Sequence, residues 1–263
     1  MLKNTARSIR TRAAAGLVTA AALTLALAGC GQDSTSPKEA RGRADNTAEV
    51  KAAGAGPQGA VDCAKAKCIA LTFDAGPGPH TPQLLDILKE KKVHATFFLL
   101  GRKHVDTYPD TVRRAAAEGH EIANHTWTHQ RLDQLKPDEI RSELDRTQQA
   151  VKKLTGHEPT LMRPPQGRTN DKVKAVAKEL GLAQVLWSAT AKDYATTDSA
   201  LIRKRILDQA GRDGIILLHD IYDGTVPAVP GIIDELKRRG YTFVTVPQLL
   251  APGTPQPGAL YRP

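Results

Sequence analysis

Residues 68–80 read CIALTFDAGPGPH, an apolar run that ends in a carboxylate and two Gly-Pro pairs. A short apolar run closed by turn residues predicts a buried β-strand, here one that ends at Asp74. Six runs of the same kind follow: HATFFLLG (94–101), HEIAN (120–124), TLMR (160–163), AQVLWS (183–188), GIILLH (214–219) and YTFVTV (241–246). Residues 68–73 are therefore the first of about seven predicted strands.

Helix signatures separate these strands. In TPQLLDILKEKK (81–92) we predict Thr81 as the cap and Pro82 at the first helical position. Comparable stretches are PDEIRSELDRTQQAVKKLTG (137–156), NDKVKAVAKELG (170–181) and PGIIDELKRRG (230–240). Alternating strands and helices predict an α/β protein with a parallel sheet. Seven units in about 185 residues are fewer than an eight-fold barrel needs, so we expect a distorted, incomplete (β/α) barrel. An open doubly wound sheet is the second choice, since no Gly-rich phosphate loop follows the first strand.

The N-terminus predicts export. Basic residues precede the run AAAGLVTAAALTLALAGC (13–30), and no acidic residue occurs before Asp33. A basic region, an apolar region and small residues are the parts of a secretory signal peptide. The ending LAGC resembles the lipobox of bacterial lipoproteins, which implies that Cys30 carries lipid and that the protein is extracytoplasmic and anchored to the cell membrane. Ordinary secretion with an incidental cysteine is the alternative.

Composition suggests how the chain is divided. Residues 31–60 hold almost no large apolar side chain and cannot bury a core. We expect four parts: a signal peptide (1–29), a flexible low-complexity tether (30–62), a folded domain (63–252) and a C-terminal tail (253–263). Cys63 and Cys68 lie close together in an exported chain, which predicts a disulfide. A metal site there is disfavoured, because no third ligand lies nearby.

The charge of the chain limits its partners. The formal net charge is +9, and four of these charges belong to the signal peptide, which leaves 9 − 4 = +5. A mild positive charge suits an anionic membrane or wall polymer, and it is also typical of an ordinary solvated surface. No basic–aromatic pattern indicates nucleic-acid binding. We expect a monomer.

Side chains capable of catalysis follow the predicted strands. In a parallel barrel the carboxyl ends of the strands share one face, where active sites lie. Six such residues would meet there: Asp74, His125, His129, Arg163, Asp193 and His219. In HTWTH the two histidines are four residues apart, a spacing that would place both on one side of a helical turn, within reach of one metal ion. Taken singly, each of the six has a plain alternative as a turn, core or surface residue.

Read together, these segments resemble the NodB-type polysaccharide deacetylases, carbohydrate esterase family 4. The resemblance covers residues 67 to about 250 and rests on five ordered motifs: TFDAGP (72–77), HTWTH (125–129), RPPQG (163–167), Asp193-Tyr194 and LLH (217–219). The family has a distorted (β/α) barrel, in agreement with the strand count. Its members remove acetyl groups with the help of a divalent metal, usually zinc.

The resemblance implies a role for each motif residue. His125 and His129 would hold the metal, Asp74 would be the general base, and Arg163 would orient Asp74. His219 would protonate the departing amine, and Asp193 would orient His219. Three further residues would bind the substrate: Gln166 through its backbone N–H, Leu217 beside the acetyl methyl, and Tyr194 as a pocket wall.

Ala75 departs from the family. The family has a third metal ligand, an aspartate, at this position, and alanine cannot ligate. Metal affinity should therefore fall, unless His80 in the same loop substitutes. We expect a hydrolase that removes N-acetyl groups from a glycan, with peptidoglycan as the first candidate and chitin oligomers as another. A catalytically impaired glycan-binding relative and an O-acetyl esterase acting on acetylxylan are the alternatives.

Overall fold

The computed structural model describes Met1, residues 33–43 and residues 61–263. The predicted signal peptide and the predicted lipidation site Cys30 lie outside the described residues. No helix in these described ranges is both long and apolar enough to cross a membrane.

In the described parts of the chain, nine strands form one parallel sheet. They are β1 (Lys67–Asp74), β2 (Thr96–Leu99), β3 (Glu121–Asn124), β4 (Leu161–Met162), β5 (Ala183–Val185), β6 (Ala189–Thr190), β7 (Gly214–His219), β8 (Tyr241–Val244) and β9 (Leu260–Tyr261). The order across the sheet is β6-β7-β1-β2-β3-β4-β5-β9, and β8 also pairs with β1. Among the described strands no pairing joins β6 to β9, so the curled sheet is an incomplete barrel. The predicted fold class is confirmed, with two more strands, β6 and β9, each too short to leave a periodic signal.

Helices cover the outside of this sheet and one end of it. They are α1 (Pro37–Gly42), α2 (Thr81–Glu90), α3 (Pro109–Ala117), α4 (Pro137–Thr155), α5 (Asp171–Glu179), α6 (Ser199–Gln209), α7 (Thr225–Arg238) and α8 (Val246–Leu250). The sequence predicts Thr81 as the cap of α2, but in the structure His80 is the N-cap residue and Thr81 is the first helical residue. Its hydroxyl accepts a hydrogen bond from the Gly78 N–H (2.7 Å) and donates one to Asp220. The helix predicted to start at residue 230 begins at Thr225 and includes Pro230.

The alternation of side chains along β1 separates two apolar clusters. Ile69, Leu71 and Phe73 pack in the cluster that includes buried residues of α2 and α7. Cys68 and Ala70 point to the opposite face and belong to the cluster inside the barrel. Because strand side chains alternate, Asp74 lies on this inner face, at the carboxyl end of the strand. The barrel interior is therefore apolar at one end and polar at the other.

Part of the predicted tether packs against the domain instead. Residues 33–43 contain α1, which begins with a capping box between Ser36 and Glu39. Arg41 forms an ion pair with Asp213 (2.6 Å) and donates a hydrogen bond to the Leu249 carbonyl (2.9 Å). Ala40 joins the inner cluster. The attachment rests mainly on the buried Arg41 guanidinium and on backbone hydrogen bonds of Thr35 to residues 260 and 262, which the scarcity of apolar residues does not predict.

The predicted tail and the predicted disulfide both contribute to the inner cluster, through Tyr261 and through Cys63 and Cys68. In the tail, β9 pairs with β5, and Thr35 bridges to Tyr261 at the outer edge of β9. The backbone N–H of Thr35 donates to the Leu260 carbonyl (2.8 Å). Cys63 and Cys68 form a disulfide, and both are fully buried in the inner cluster. The folded unit thus extends beyond 63–252 in both directions.

Candidate active site

The register of the sheet brings the two predicted proton-transfer residues together. Asp74 ends β1 and His219 ends β7, and the two residues are direct partners across the parallel pair. Arg163 immediately follows β4, and its backbone N–H donates to the Asn124 carbonyl (2.9 Å). The strands therefore place residues distant in sequence at one level on the carboxyl face, as predicted.

Asp74 is held by a buried arginine. The Arg163 guanidinium, fully shielded from solvent, donates to Asp74 Oδ1 (2.6 Å) and to Thr72 Oγ1 (2.8 Å). Its Nε donates to the Val185 carbonyl (3.1 Å), and its plane lies 4.0 Å from the centre of the Phe98 ring. Burial lowers the pKa of Arg163, and the charge of Asp74 opposes that shift. A carboxylate with one oxygen committed to Arg163 keeps a fixed orientation, as a general base requires.

The two motif histidines sit on a loop, and not on the helical turn that their spacing suggested. Thr126 (φ 73°) and His129 (φ 64°) both adopt left-handed backbone angles, which no helical turn contains. The Glu143 carboxylate holds this loop by accepting hydrogen bonds from the Trp127 N–H (3.1 Å) and from the N–H (2.8 Å) and hydroxyl (2.6 Å) of Thr128. Sequence reasoning missed Glu143. The sequence does carry a signal for Glu143, which is an acidic residue directly beside the apolar face of α4.

The histidine pair has the properties of metal ligands. The rings of His125 and His129 are 4.9 Å apart. His125 Nδ1 lies 2.8 Å from the Arg163 carbonyl, and Nδ1–H donation there leaves Nε2, 3.8 Å from Asp74 Oδ2, with a free lone pair. Burial lowers the pKa of His125 to about 4 and lowers that of His129, so both imidazoles are neutral at neutral pH. A neutral imidazole pair, of which His125 is anchored through its other ring nitrogen, fits a divalent metal.

Among its described residues, the structure offers no third protein ligand beside the histidine pair. Within residues 33–43 and 61–263 no three His, Cys, Asp or Glu side chains meet in a metal-binding arrangement. Ala75 is buried with a left-handed backbone (φ 64°), and its N–H donates to the Phe98 carbonyl (3.1 Å). The candidate substitute His80 instead contacts Asp223 at the surface, with Nε2 3.0 Å from Oδ1. The structure thus does not bring His80 to the histidine pair.

His219 is prepared to donate a proton. Its Nδ1 lies 2.8 Å from Asp193 Oδ1, and its backbone N–H donates to Asp193 Oδ2 (2.7 Å). The Thr225 hydroxyl also donates to Asp193 Oδ2 (2.8 Å). Burial lowers the pKa of His219, but the hydrogen bond and charge of Asp193 outweigh it, so the net pKa is raised. With Nδ1 bound to Asp193, Nε2 is the nitrogen left to carry the transferable proton.

The structure places the three predicted substrate-binding residues on different elements, and two of them lie near His219 in the sheet or in space. Gln166 adopts a left-handed conformation (φ 57°) in the turn Pro165–Gly167 and is the first residue after two prolines that has a backbone N–H. Leu217 is buried on β7, two residues before His219. Tyr194 is 60% exposed, and its ring lies 6.3 Å from that of His219. Tyr222, which sequence reasoning did not single out, lies closer, with its ring 5.4 Å from His219.

Comparisons with known proteins agree with this geometry. The family model "Polysaccharide deacetylase" matches residues 62–185. A peptidoglycan-N-acetylglucosamine deacetylase of Bacillus cereus is 40% identical over 70% of this chain and 88% of that protein. The chain belongs to the polysaccharide deacetylase family. This places HTWTH and RPPQG within the matched part of the family, whereas Asp193 and His219 lie beyond the family-model match.

Two other members of the family are informative. The peptidoglycan-N-acetylmuramic acid deacetylase PdaC of Bacillus subtilis is 42% identical over 70% of this chain but only 38% of PdaC, so the chain spans well under half of that relative. A solved structure of PdaC superimposes with a TM-score of 0.67 over 72% of this chain and 92% of that chain. BA3943 of Bacillus anthracis, described as a pseudoenzyme of carbohydrate esterase family 4, is 26% identical with a TM-score of 0.68, over 76% of this chain and 70% of that chain.

Proposed function

We propose that this protein is a metal-dependent hydrolase that removes N-acetyl groups from peptidoglycan. The observation that carries the proposal is the alignment of two oriented proton-transfer pairs, Asp74 with Arg163 and His219 with Asp193, at the same level of adjacent strands. A fixed carboxylate and a histidine with a raised pKa are the base and the acid that amide hydrolysis requires. Relatives near 40% identity, named as peptidoglycan deacetylases, support the substrate class.

The chemistry divides between the two pairs. Asp74 accepts a proton from the attacking water as the water oxygen bonds to the acetyl carbon. His219 then donates the proton on Nε2 to the nitrogen as the C–N bond breaks, so that acetate and a free amine leave the site. His125 and His129 would hold the metal, zinc in our proposal, which supplies Lewis-acid polarisation of the carbonyl and a lower pKa for the water. The Gln166 N–H would donate to the developing oxyanion.

The alanine at position 75 supports an alternative to the active deacetylase, namely a catalytically impaired glycan-binding relative. The pair of histidines lacks the family's third ligand, and the likeness to the pseudoenzyme BA3943 shows that this fold occurs without the activity. We favour activity because the base, the acid and both orienting residues retain their hydrogen bonds. Deacetylation of chitin oligomers and of acetylxylan would use the same groups, so both polymers serve as test substrates.

The experiment is acetate release by the purified protein from peptidoglycan, chitin oligomers and acetylxylan, with the zinc content measured alongside. We expect release from peptidoglycan, and we expect Asp74→Asn and His219→Ala each to lower turnover by roughly 10²–10⁴-fold, the usual contribution of a positioned acid or base. A parent protein that binds peptidoglycan but releases no acetate at saturating zinc would support the glycan-binding alternative. Release from acetylxylan alone would support the esterase.

We also propose that the protein is a lipoprotein on the outer face of the cell membrane, where a wall-modifying enzyme meets its substrate. The support is the sequence resemblance of LAGC, with Cys30 as the acylated residue. Cys30→Ser should move the protein from the membrane fraction to the soluble fraction. Equal membrane fractionation of variant and parent would exclude the lipid anchor.

A further inference from the structure

The end of the barrel opposite the active site is a separate surface of the molecule. Strands β1 and β7 finish at Asp74 and His219 on the active-site face and begin at the other end, which we call the amino end. In a parallel sheet each connecting helix returns the chain to the start of the next strand. The last turns of α2 and α7 therefore lie toward the amino end.

Hydrogen bonds join these helix ends to the start of β1. Tyr241 opens β8 just after α7 and pairs with Lys67, the first residue of β1. The Lys67 ammonium donates to the Arg239 carbonyl (3.3 Å), and the Lys237 ammonium donates to the carbonyl of Lys91, directly after α2. The basic residues at the ends of the two helices thus belong to one continuous surface.

The docked segment 33–43 borders the same surface. Arg41 forms its ion pair with Asp213, the residue directly before β7 (2.6 Å). The neighbouring Arg212 donates to the Ala64 carbonyl (2.6 Å), three residues before β1 begins. The segment is therefore fixed at the amino end of the barrel, away from Asp74 and His219.

The amino end carries the excess positive charge of the chain that follows the predicted signal peptide. Residues 30–263 have a formal net charge of 9 − 4 = +5. One unit of this charge comes from residues 33–43, one from 62–67, two from 89–92, none from 212–213 and one from 234–239. Since these segments of the amino end account for all of it, the other residues sum to zero. Attraction to an anionic surface therefore acts on the amino end.

The proposed lipid anchor would attach beside this surface. Cys30 lies three residues before Asp33, and three residues span at most about 11 Å. Asp33 opens the docked segment, in which Arg41 is held by Asp213. An acyl chain on Cys30 would therefore hold the amino end near the bilayer, which favours a membrane over a distant wall polymer as the anionic partner.

We propose that the amino end of the barrel is a membrane-facing surface that binds anionic phospholipid headgroups and leaves the active-site face open on the side away from the bilayer. Strand β1 has eight residues, so Asp74 would lie about 25 Å from this surface along the strand. Headgroup binding requires neither the acyl chain nor the deacetylase reaction, so it can be tested apart from both.

The test measures co-sedimentation of residues 31–263 with lipid vesicles. This chain lacks the predicted signal peptide and Cys30 but keeps every described residue except Met1, so that only its surface can hold it on a vesicle. We expect binding to vesicles that contain phosphatidylglycerol at low ionic strength and little binding to phosphatidylcholine alone. High salt should release the protein, because it screens exposed charges.

Charge reversal at two exposed lysines locates the surface. Lys89→Glu combined with Lys92→Glu should weaken binding to the anionic vesicles at least about 30-fold, the scale of two lost basic contacts. Arg102→Glu combined with Lys103→Glu is the matched control, because it makes the same change in charge at two exposed residues that follow the carboxyl end of β2. The control should bind close to the parent, and a thermal melt checks that both double variants fold.

Three results would overturn the membrane-facing surface. They are equal binding of the parent to vesicles with and without phosphatidylglycerol, equal losses in the two double variants, and stronger binding to soluble polyphosphate than to vesicles at the same phosphate concentration. The last result would make an anionic wall polymer the partner.

The orientation has its own readout. Vesicle-bound parent should release acetate from soluble N-acetylglucosamine tetramer as fast as free parent does, because the active-site face stays open. Slower release on vesicles would show that this face meets the bilayer and would refute the orientation. A parent that releases no acetate even in solution would refute the proposed function, while the sedimentation results would still decide the surface.

Discussion

Restoring the family's aspartate at Ala75 gives the sharpest test of the metal site. The backbone of Ala75 is left-handed (φ 64°), a conformation that aspartate and asparagine tolerate better than alanine. Its N–H is bound to the Phe98 carbonyl, so the direction of a longer side chain is fixed by the loop. The next residue, Gly76, packs so closely on Asp220 that a Cβ atom there would lie 2.3 Å from Asp220 Oδ1. Ala75→Asp would therefore add a carboxylate next to two buried ones, Asp74 and Asp220.

Without metal, that crowding should destabilise the variant. Two carboxylates about 6.5 Å apart at an effective dielectric constant near 20 repel by about 2.5 kcal/mol. Since Arg163 neutralises Asp74, we count only the repulsion from Asp220. We therefore expect the free energy of unfolding to fall by roughly 2–3 kcal/mol. For a domain of this size that corresponds to a melting temperature lowered by about 5–10 °C. With zinc bound, the variant should instead be more stable than the parent, because the new carboxylate becomes a metal ligand. Loss of an outer-shell partner costs 10–100-fold in metal affinity, so a direct ligand should contribute at least about 100-fold.

The assay is thermal melting at pH 8 with a chelator and with saturating zinc, together with a zinc titration. Ala75→Asn is the matched control, because it has the same shape and backbone preference without the charge. The asparagine variant should melt like the parent in chelator and gain less zinc affinity than the aspartate variant. If Ala75→Asp melts like the parent in chelator and binds zinc no more tightly, Ala75 does not occupy the position of a missing ligand.

Three further predictions concern buried charges. Asp193→Asn removes the group that raises the pKa of His219, so the pKa of His219 should fall. Because His219 acts in its protonated form, the alkaline limb of the pH–kcat/KM profile should then move to lower pH. An unmoved limb would contradict the pairing of His219 with Asp193. Arg41→Met leaves the Asp213 carboxylate with only a longer contact to Arg212 (3.9 Å) and should lower the free energy of unfolding by about 3 kcal/mol in a urea melt, whereas an unchanged midpoint would show that residues 33–43 do not dock. Burial raises the pKa of Asp220 from 3.8 to about 6, so the folded state binds more protons than the unfolded state and loses stability as pH rises through this range. Asp220→Asn keeps an acceptor for Thr81 and should therefore stabilise the protein by about 3 kcal/mol above pH 6 and by little below pH 4, as followed by melting across pH.

The strand pattern predicted most of the fold because it is a local property. Runs such as GIILLH are buried on both faces, and their apolar composition is legible without knowledge of their neighbours. The prediction failed where a few specific contacts replace apolar burial. Residues 33–43 dock through Arg41 and the backbone of Thr35, and β9 consists of two residues held by backbone pairing. Neither attachment leaves a periodic signal in the sequence.

The sequence by itself determined which residues can do chemistry and in what order they follow the strands, because strand ends are marked by composition. It also determined that position 75 carries no ligand, since that depends only on the identity of Ala75. Only the tertiary structure decided that His125 and His129 meet on a loop held by Glu143, that His80 turns to Asp223, and that Tyr222 stands beside His219. Those relations join elements far apart in the chain, so they are set by sheet register and loop packing, which no local pattern encodes.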